Sequence, residues 1–339
     1  MQIRMSQLIH LTAATALVAT TLSACGADEL SDEEYRAAVP NESAVTIQAP
    51  EQSSSALSEV VALGEQSEYY VMTRNMSRDV NGNIRGLLLI IKAVMQAPAT
   101  TREENRRIWG PGADALDPVY YRLTVTREAE GQFSYVLDAR PKAADDLDAN
   151  YFPLVSGTAD VTSGERDGAG TMVLHVGNFG QTDGNTCAAG VANVSYDTTS
   201  EPQYLSVAFV DFATECGTPA TQASYYYDRA ADGSGNFQFA ALGDIQNGAI
   251  VPAVPEIFAI RSRWHANGEG RSDVQISGGD LEAQTTIATV SASECWSEYF
   301  ALTYASIDPQ IIDPSRNLGA EADCAAGLQS AEYATDVGL

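Results

Sequence analysis

Lysine is nearly absent from this sequence, which has only Lys92 and Lys142 among its 339 residues. Acidic side chains outnumber basic ones by 45 to 19, and the formal net charge is −26. Nucleic acids and anionic lipid headgroups bind to clusters of positive charge, so such an acidic surface repels them. The charge balance therefore excludes nucleic acid as an expected partner.

Histidine is also scarce, and the common catalytic motifs are missing. The chain has 3 histidines, of which His175 and His265 follow the N-terminal segment. It contains no GxSxG elbow, HExxH helix or P-loop. We interpret His175 as a sheet-face residue and His265 as a packing or hydrogen-bonding residue beside a turn. The sequence thus predicts no catalytic residue and no cofactor, and a hydrolase built on one of these histidines is the remaining enzymatic alternative.

The N-terminus has the pattern of a secretory signal peptide. Arg4 precedes an apolar stretch from Leu8 to Leu22 that is too short and too rich in threonine to span a membrane. The stretch ends in Leu-Ser-Ala-Cys at Cys25, which resembles the lipobox of bacterial lipoproteins. This resemblance implies a signal peptide over 1–24, palmitate-type acylation of Cys25 and, because Gly26 rather than aspartate follows, anchoring in the outer membrane. An ordinary signal peptide that happens to contain a cysteine is the alternative.

The cysteine count agrees with an acylated Cys25. Five cysteines are an odd number for an exported chain, and removing Cys25 leaves four that can form two disulfide bonds in three connectivities. We favour the sequential pairing, because it closes the shortest loops: Cys187 with Cys216, and Cys295 with Cys324. A zinc site is the alternative, but no CxxC spacing occurs and few histidines are present, so no metal is predicted.

The segment after the cysteine differs in composition from the rest of the chain. Residues 25–57 are acidic and rich in serine, with few large apolar side chains. Such a segment buries too little surface to order itself, so the sequence predicts a flexible tether there. Residues 58–339 remain for a single β-rich domain with a large core.

Hydrophobic periodicity predicts one helix followed by many strands. Ser77 is the expected N-cap of the helix and Pro98 its end. Its apolar positions recur at helical spacing: Val80, Ile84, Leu87, Leu88, Ile91, Val94 and Met95. Beyond the helix, apolar and polar residues alternate in run after run. The fold class is therefore mainly β, an antiparallel meander that forms a barrel or half-barrel packed on the N-terminal helix, with a two-sheet sandwich as the alternative.

Three glycine-rich segments share one form: DGAGTMVLHVGN, DGSGNFQFAALGD and NGEGRSDVQISGGD. In each, an Asp-Gly or Asn-Gly pair is followed by a second glycine, a strand pattern and another glycine. We interpret them as tight turns that start strands, because these pairs adopt positive φ easily. Phosphate binding would need a helix after the glycines, and calcium-binding repeats would be contiguous.

Aromatic side chains are the candidate ligand-lining residues. Tyr225, Tyr226 and Tyr227 stand in a row, so a strand there presents tyrosine on both faces. Trp264 and Trp296 lie within two further aromatic segments. Packing in the core and on the sheet faces is one interpretation of all five. The other is an aromatic lining for a glycan or lipid groove.

Longer segments carry a family resemblance. SRWHANGEGRSDVQISGGDL, ECWSEYF and WGPGADALDPVYYRLTVT resemble a group of uncharacterised outer-membrane lipoproteins from Gram-negative bacteria, and the likeness covers most of the chain beyond the tether. The predicted architecture also looks like that of carriers that move lipids or lipoproteins across the periplasm, but this second likeness transfers no residue.

These observations together predict a lipid-anchored outer-membrane protein, either periplasmic or surface-exposed, with a non-catalytic domain. Its curved sheet would bind an apolar or amphipathic ligand. The alternative is a structural or partner-binding envelope protein without a small-molecule ligand. The expected partners are the membrane, through N-terminal acyl chains, and such a lipid or other amphipathic ligand.

Overall fold

The computed structural model of the chain describes residues 31–51, 62–113, 115–164, 168–213, 216, 220–244, 254–310 and 312–339. The predicted signal peptide and Cys25 lie outside these ranges. Four α-helices occur within them: α1 Asp32–Arg36, α2 Glu68–Val94, α3 Val176–Asp183 and α4 Leu281–Thr285. In the described part of the chain, no helix combines the length and the apolar character needed to cross a bilayer.

A single antiparallel sheet of 14 strands accounts for the rest of the fold, and each strand pairs with its neighbours in the sequence. The strands are β1 Thr101–Glu103, β2 Arg106–Gly112, β3 Val119–Ala129, β4 Gln132–Pro141, β5 Phe152–Asp160, β6 Ala169–His175, β7 Ala189–Asp197, β8 Gln203–Ala213, β9 Thr221–Arg229, β10 Gly235–Gly243, β11 Glu256–Trp264, β12 Gly270–Ser277, β13 Thr289–Trp296 and β14 Leu302–Asp308. The predicted meander is confirmed. The sandwich alternative is wrong, because one sheet contains every described strand.

The sheet is curved but not closed, and α2 lies on its concave side. This helix packs on β2 and β3, near the start of the sheet, and on β12 and β13, near its end. Its buried apolar residues from Ile84 to Ile91 belong to the same core cluster as the inward side chains of β3 to β10. Eleven interstrand steps separate β2 from β13, which is about 53 Å in a flat sheet. The helix has 27 residues and is about 40 Å long, so curvature of the sheet lets both groups of strands contact it.

The long helix begins earlier than the sequence indicates. Its N-cap is Ser67, whose hydroxyl accepts a hydrogen bond from the Tyr70 backbone N–H, and the expected N-cap Ser77 lies inside the helix. Ser77 and Thr73 each donate their hydroxyl to a carbonyl one turn back, both at 2.8 Å. These hydrogen bonds satisfy the two hydroxyls within the helix. Because this part of the helix shows no apolar periodicity, hydrophobic spacing does not predict that it is helical.

The predicted tether over 25–57 needs correction for its described residues 31–51. This stretch forms α1 and a 3-10 turn, Glu42–Val45. The Tyr35 side chain is fully buried, with Phe133 packed at its edge and the Arg107 guanidinium 4.5 Å above its ring. The Asp32 carboxylate accepts hydrogen bonds from Arg102 and from a backbone N–H. Composition does not predict this packing, because a segment with only a few apolar residues can still be ordered when those residues insert into a core formed by the rest of the chain.

Two of the three predicted glycine turns are confirmed as hairpins. Gly233 and Gly268, both with φ of +92°, lie in the turns between β9 and β10 and between β11 and β12. The third turn includes Asp167, which lies outside the described residues, and Gly168 directly precedes β6. The second glycine of each segment has a separate role, because an aromatic side chain on an adjacent strand occupies the space that a Cβ would need. These pairs are Gly170 with Tyr196, Gly235 with Trp264 and Gly270 with Trp296.

A C-terminal segment, residues 324–339, crosses the convex face of β9 to β13, and we call it the strap. The Cys295–Cys324 disulfide fixes its start. Near its end, the Gly338 carbonyl accepts a hydrogen bond from Ser224 on β9. The other disulfide joins Cys187, before β7, to Cys216, after β8. The sequential pairing predicted from loop length is therefore confirmed.

Candidate ligand site on the concave face

The concave face can be described in rows, because residues paired across an antiparallel sheet point to the same side. One inner row runs through Val207, Tyr225 and Phe239 on β8 to β10 and continues through Ile260, Val274 and Ala292. All of these side chains except Phe239 are buried. Toward the ends of the strands near the Cys187–Cys216 disulfide, the next row differs.

This next row, which we call the open row, consists of apolar side chains that all remain partly exposed. It crosses six adjacent strands, from β8 to β13, through Phe209, Ala223, Ala241, Phe258, Ile276 and Val290. Apolar side chains on an inward face are ordinarily covered. A contiguous, partly exposed apolar row therefore marks one end of the concave face as accessible.

The open row contains a notch where two alanines lie between two phenylalanines. Ala223 and Ala241 pair with each other, Phe209 pairs with Ala223, and Phe258 pairs with Ala241. Three interstrand steps separate the backbones of Phe209 and Phe258 by about 14 Å. The smallest side chains of the open row therefore lie between its two phenylalanines.

Tyr225 lies directly behind this notch, two residues along β9 from Ala223. Its side chain is 1% exposed, and its ring contacts those of Phe209 and Phe237 at centroid distances of 6.3 and 6.1 Å. Within the described residues, the Tyr225 hydroxyl has no hydrogen-bond partner. Burial raises the pKa of this hydroxyl, so it stays protonated and able to donate.

A second set of partly buried apolar side chains lies on α2 and packs against the same core: Met76, Val80, Ile90 and Val94. They recur at helical spacing and form a stripe beside the fully buried face of the helix. Because α2 lies on the concave side, this stripe adds apolar surface to that side.

The predicted lining residues divide between four environments. Tyr225 lies behind the notch, whereas Tyr227 and Trp264 stack on each other with centroids 6.2 Å apart in the buried core. Trp296 packs against Tyr70 in a separate small cluster and donates its indole N–H to a carbonyl at 2.8 Å. Tyr226 points to the convex face and stacks on a neighbouring tyrosine.

The structure also identifies lining residues that sequence reasoning missed. Alternation predicts which side chains of a strand share a face, but it gives no sign that Phe209, Ala241 and Phe258 stay partly exposed. Exposure within an inward row depends on which distant segments cover it, so no local pattern carries that signal.

A buried polar cluster lies where α2 meets the last strands. The Glu294 carboxylate accepts hydrogen bonds from the Ser67 hydroxyl at 2.7 Å and from the Tyr69 N–H at 3.0 Å. Burial raises the pKa of Glu294, and these two hydrogen bonds oppose the shift. Nearby, the hydroxyls of Thr73, Ser262 and Ser272 form a chain with separations of 2.6 Å. The cluster satisfies the N-terminus of the helix, so we assign it a structural role.

A polar groove of about 520 Å³ lies between residues 42–51 and α2. Arg85 pairs with Glu42 at 2.6 Å and Arg78 with Glu51 at 3.6 Å across it. The Asn81 amide binds the N–H and the carbonyl of Ile47, both at 2.7 Å. These charged and amide groups already hold the N-terminal segment on the helix.

The two histidines lie apart from the open row. His175 Nε2 is 3.3 Å from the Ser156 hydroxyl on the convex face. His265 Nε2 lies 2.9 Å from the Ala326 carbonyl at the start of the strap. Neither contact by itself makes a catalytic site, because a serine nucleophile also needs an oriented base and an oxyanion site. Among the described side chains, no group of three or more His, Cys, Asp or Glu residues could hold a metal ion.

The chain was compared with models of protein families, with curated proteins and with solved structures, and none of them matches it.

Proposed function

We propose that this protein is a lipid-anchored, non-catalytic component of the bacterial outer membrane whose curved sheet binds an apolar or amphipathic ligand. The observation that carries the ligand proposal is the open row, with its notch at Ala223 and Ala241. A soluble domain gains free energy by covering such a row, about 25 cal/mol for each Å². A ligand that covers it recovers this energy.

The membrane anchor rests on the lipobox at Cys25 and on the even number of cysteines that remain. Both disulfides form among those four cysteines, which leaves Cys25 as the odd one. Intact mass measurement of the exported protein tests the anchor. Acylation adds the mass of the acyl chains to the wild type, and Cys25→Ser abolishes the addition. A wild-type chain without added mass rejects the anchor.

Filling the notch tests the ligand site. Ala223→Leu places a larger side chain between Phe209 and Phe258, so we expect it to reduce the affinity for a fluorescent fatty acid such as cis-parinaric acid by about tenfold or more. Ala208→Leu is the matched control, since Ala208 is a partly exposed alanine on the convex side of β8. Fluorescence titration measures both variants against the wild type. Equal affinity in all three proteins contradicts the site.

The structural alternative predicts a different result. A partner-binding envelope protein without a ligand shows no saturable binding of the fatty acid, and crosslinking in the envelope captures a protein on the open row instead.

A further inference from the structure

We propose that the ligand carries a hydrogen-bonding oxygen at its buried end, and that the Tyr225 hydroxyl donates to this oxygen. The inference rests on the proposed function, because it concerns the chemistry of the ligand in the notch. It differs from that function by specifying a polar atom deep in an otherwise apolar site.

The position of Tyr225 supports a ligand contact. The open row at Ala223 and the row containing Tyr225 are two residues apart on β9, or about 7 Å. The Phe209 ring borders the notch and also contacts Tyr225. Tyr225 and the notch at Ala223 therefore adjoin on the concave face.

The state of the hydroxyl supports a polar ligand atom. A buried hydroxyl without a partner is unfavourable, and native proteins usually satisfy such groups. Tyr135, on the same row, donates its hydroxyl to the Thr171 carbonyl at 3.3 Å. Tyr225 differs from Tyr135 in lying beside the exposed end of the concave face with its hydroxyl unpartnered.

The alternation of inward and outward side chains explains an aromatic ring at position 225, but it does not explain the hydroxyl of Tyr225. A phenylalanine would fill the same apolar position without leaving a buried donor, and Phe237 does so on the adjoining strand. A tyrosine is useful there when something brings an acceptor. The fitting acceptors are a hydroxyl, an ester or a ketone oxygen on an apolar chain or ring.

Two probes that differ by one oxygen test the proposal: decanoate and 10-hydroxydecanoate. Their carboxylates remain at the mouth, because burying a charge is strongly unfavourable, so the far end of the chain reaches Tyr225. We expect the wild-type full chain to bind 10-hydroxydecanoate about three- to tenfold more tightly, the size of one hydrogen bond. Calorimetric titration of both probes measures the ratio.

Tyr225→Phe should remove this preference, so that the variant binds decanoate and 10-hydroxydecanoate with equal affinity. Tyr226→Phe, on the convex face, should retain the preference. Equal binding of both probes to the wild type, or a preference that survives in Tyr225→Phe, overturns the inference and leaves the proposed function intact. Absence of binding for both probes rejects the proposed function itself.

Discussion

At the scale of single residues, Glu294 shows how a carboxylate from the end of the chain completes a helix near its start. It is 2% exposed and binds the first turn of α2 through Ser67 and Tyr69. A negative charge at a helix N-terminus is favourable, whereas burial of that charge is not. Because burial is the larger influence on the pKa of Glu294, the carboxyl holds its proton more tightly in the folded state than in the unfolded chain.

Glu294→Gln should therefore change how stability depends on pH. The folded pKa is raised above the unfolded value of about 4.3, so the wild type is favoured at low pH and loses stability as the pH rises through the raised pKa. Glutamine does not titrate, so the variant should gain on the wild type between pH 4 and neutrality. Urea unfolding at a series of pH values measures the difference. A difference that stays constant with pH contradicts the assignment.

At the scale of elements, the pairing of glycine with an aromatic ring organises the strands. Gly270 on β12 lies beneath the Trp296 ring on β13, and Gly235 on β10 lies beneath Trp264 on β11. The absence of a Cβ lets each indole approach the neighbouring backbone closely, which suits a strongly curved sheet. The second glycine of each glycine-rich segment is thus a packing position, and the first belongs to the turn.

Gly270→Ala should destabilise the domain by about 1–3 kcal/mol, the usual effect of overpacking. The added Cβ would overlap the six-membered ring of Trp296. Gly243→Ala is the control, because a Cβ at Gly243 meets no atom within 4 Å. Thermal or urea denaturation compares the two variants, and equal stability of both would refute the packing role.

The extent of prediction from sequence also varies by element. Strands such as β3 were predicted from alternation, because one face of an antiparallel sheet is buried and the other is wet. Hydrophobic periodicity does not predict the first turns of α2, since Thr73 contacts a serine on a strand 189 residues away. The open row and the free Tyr225 hydroxyl could not be predicted. Both depend on which parts of the concave face are left uncovered by segments that are distant in the sequence.

At the scale of the whole molecule, the strap covers charges that the sheet could not bury alone. Asp273 and Arg271 are almost inaccessible and pair at 2.7 Å on the convex face. The strap supplies the Leu328 carbonyl to Arg271 at 3.2 Å and the Glu332 N–H to Asp273 at 3.0 Å. Arg263 also pairs with Glu332 and with Asp273. Loss of the strap would expose Arg263, Arg271 and Asp273 to solvent or leave them without some of their hydrogen-bond partners.

The two disulfides should consequently differ in their effect on stability. Each closes a loop with a sequence separation of 29, for which chain entropy alone gives about 3.5 kcal/mol. Replacing Cys295 and Cys324 by alanine should cost more than replacing Cys187 and Cys216, because only the former pair anchors the strap. Urea unfolding measures the difference, and limited proteolysis from the C-terminus should shorten only the first variant. Equal losses in both variants would contradict a stabilising role for the strap.

The order of the strands also determines how the protein can fold while the chain is delivered with its N-terminus first. Each new strand adds to the strand made just before it, so most of the sheet can assemble hairpin by hairpin without long-range search. The N-terminus of α2, in contrast, emerges early, but its hydrogen bonds to Glu294 cannot form until the thirteenth strand has emerged. A growing chain therefore keeps its longest helix incomplete at one end until almost all of the sheet has been delivered.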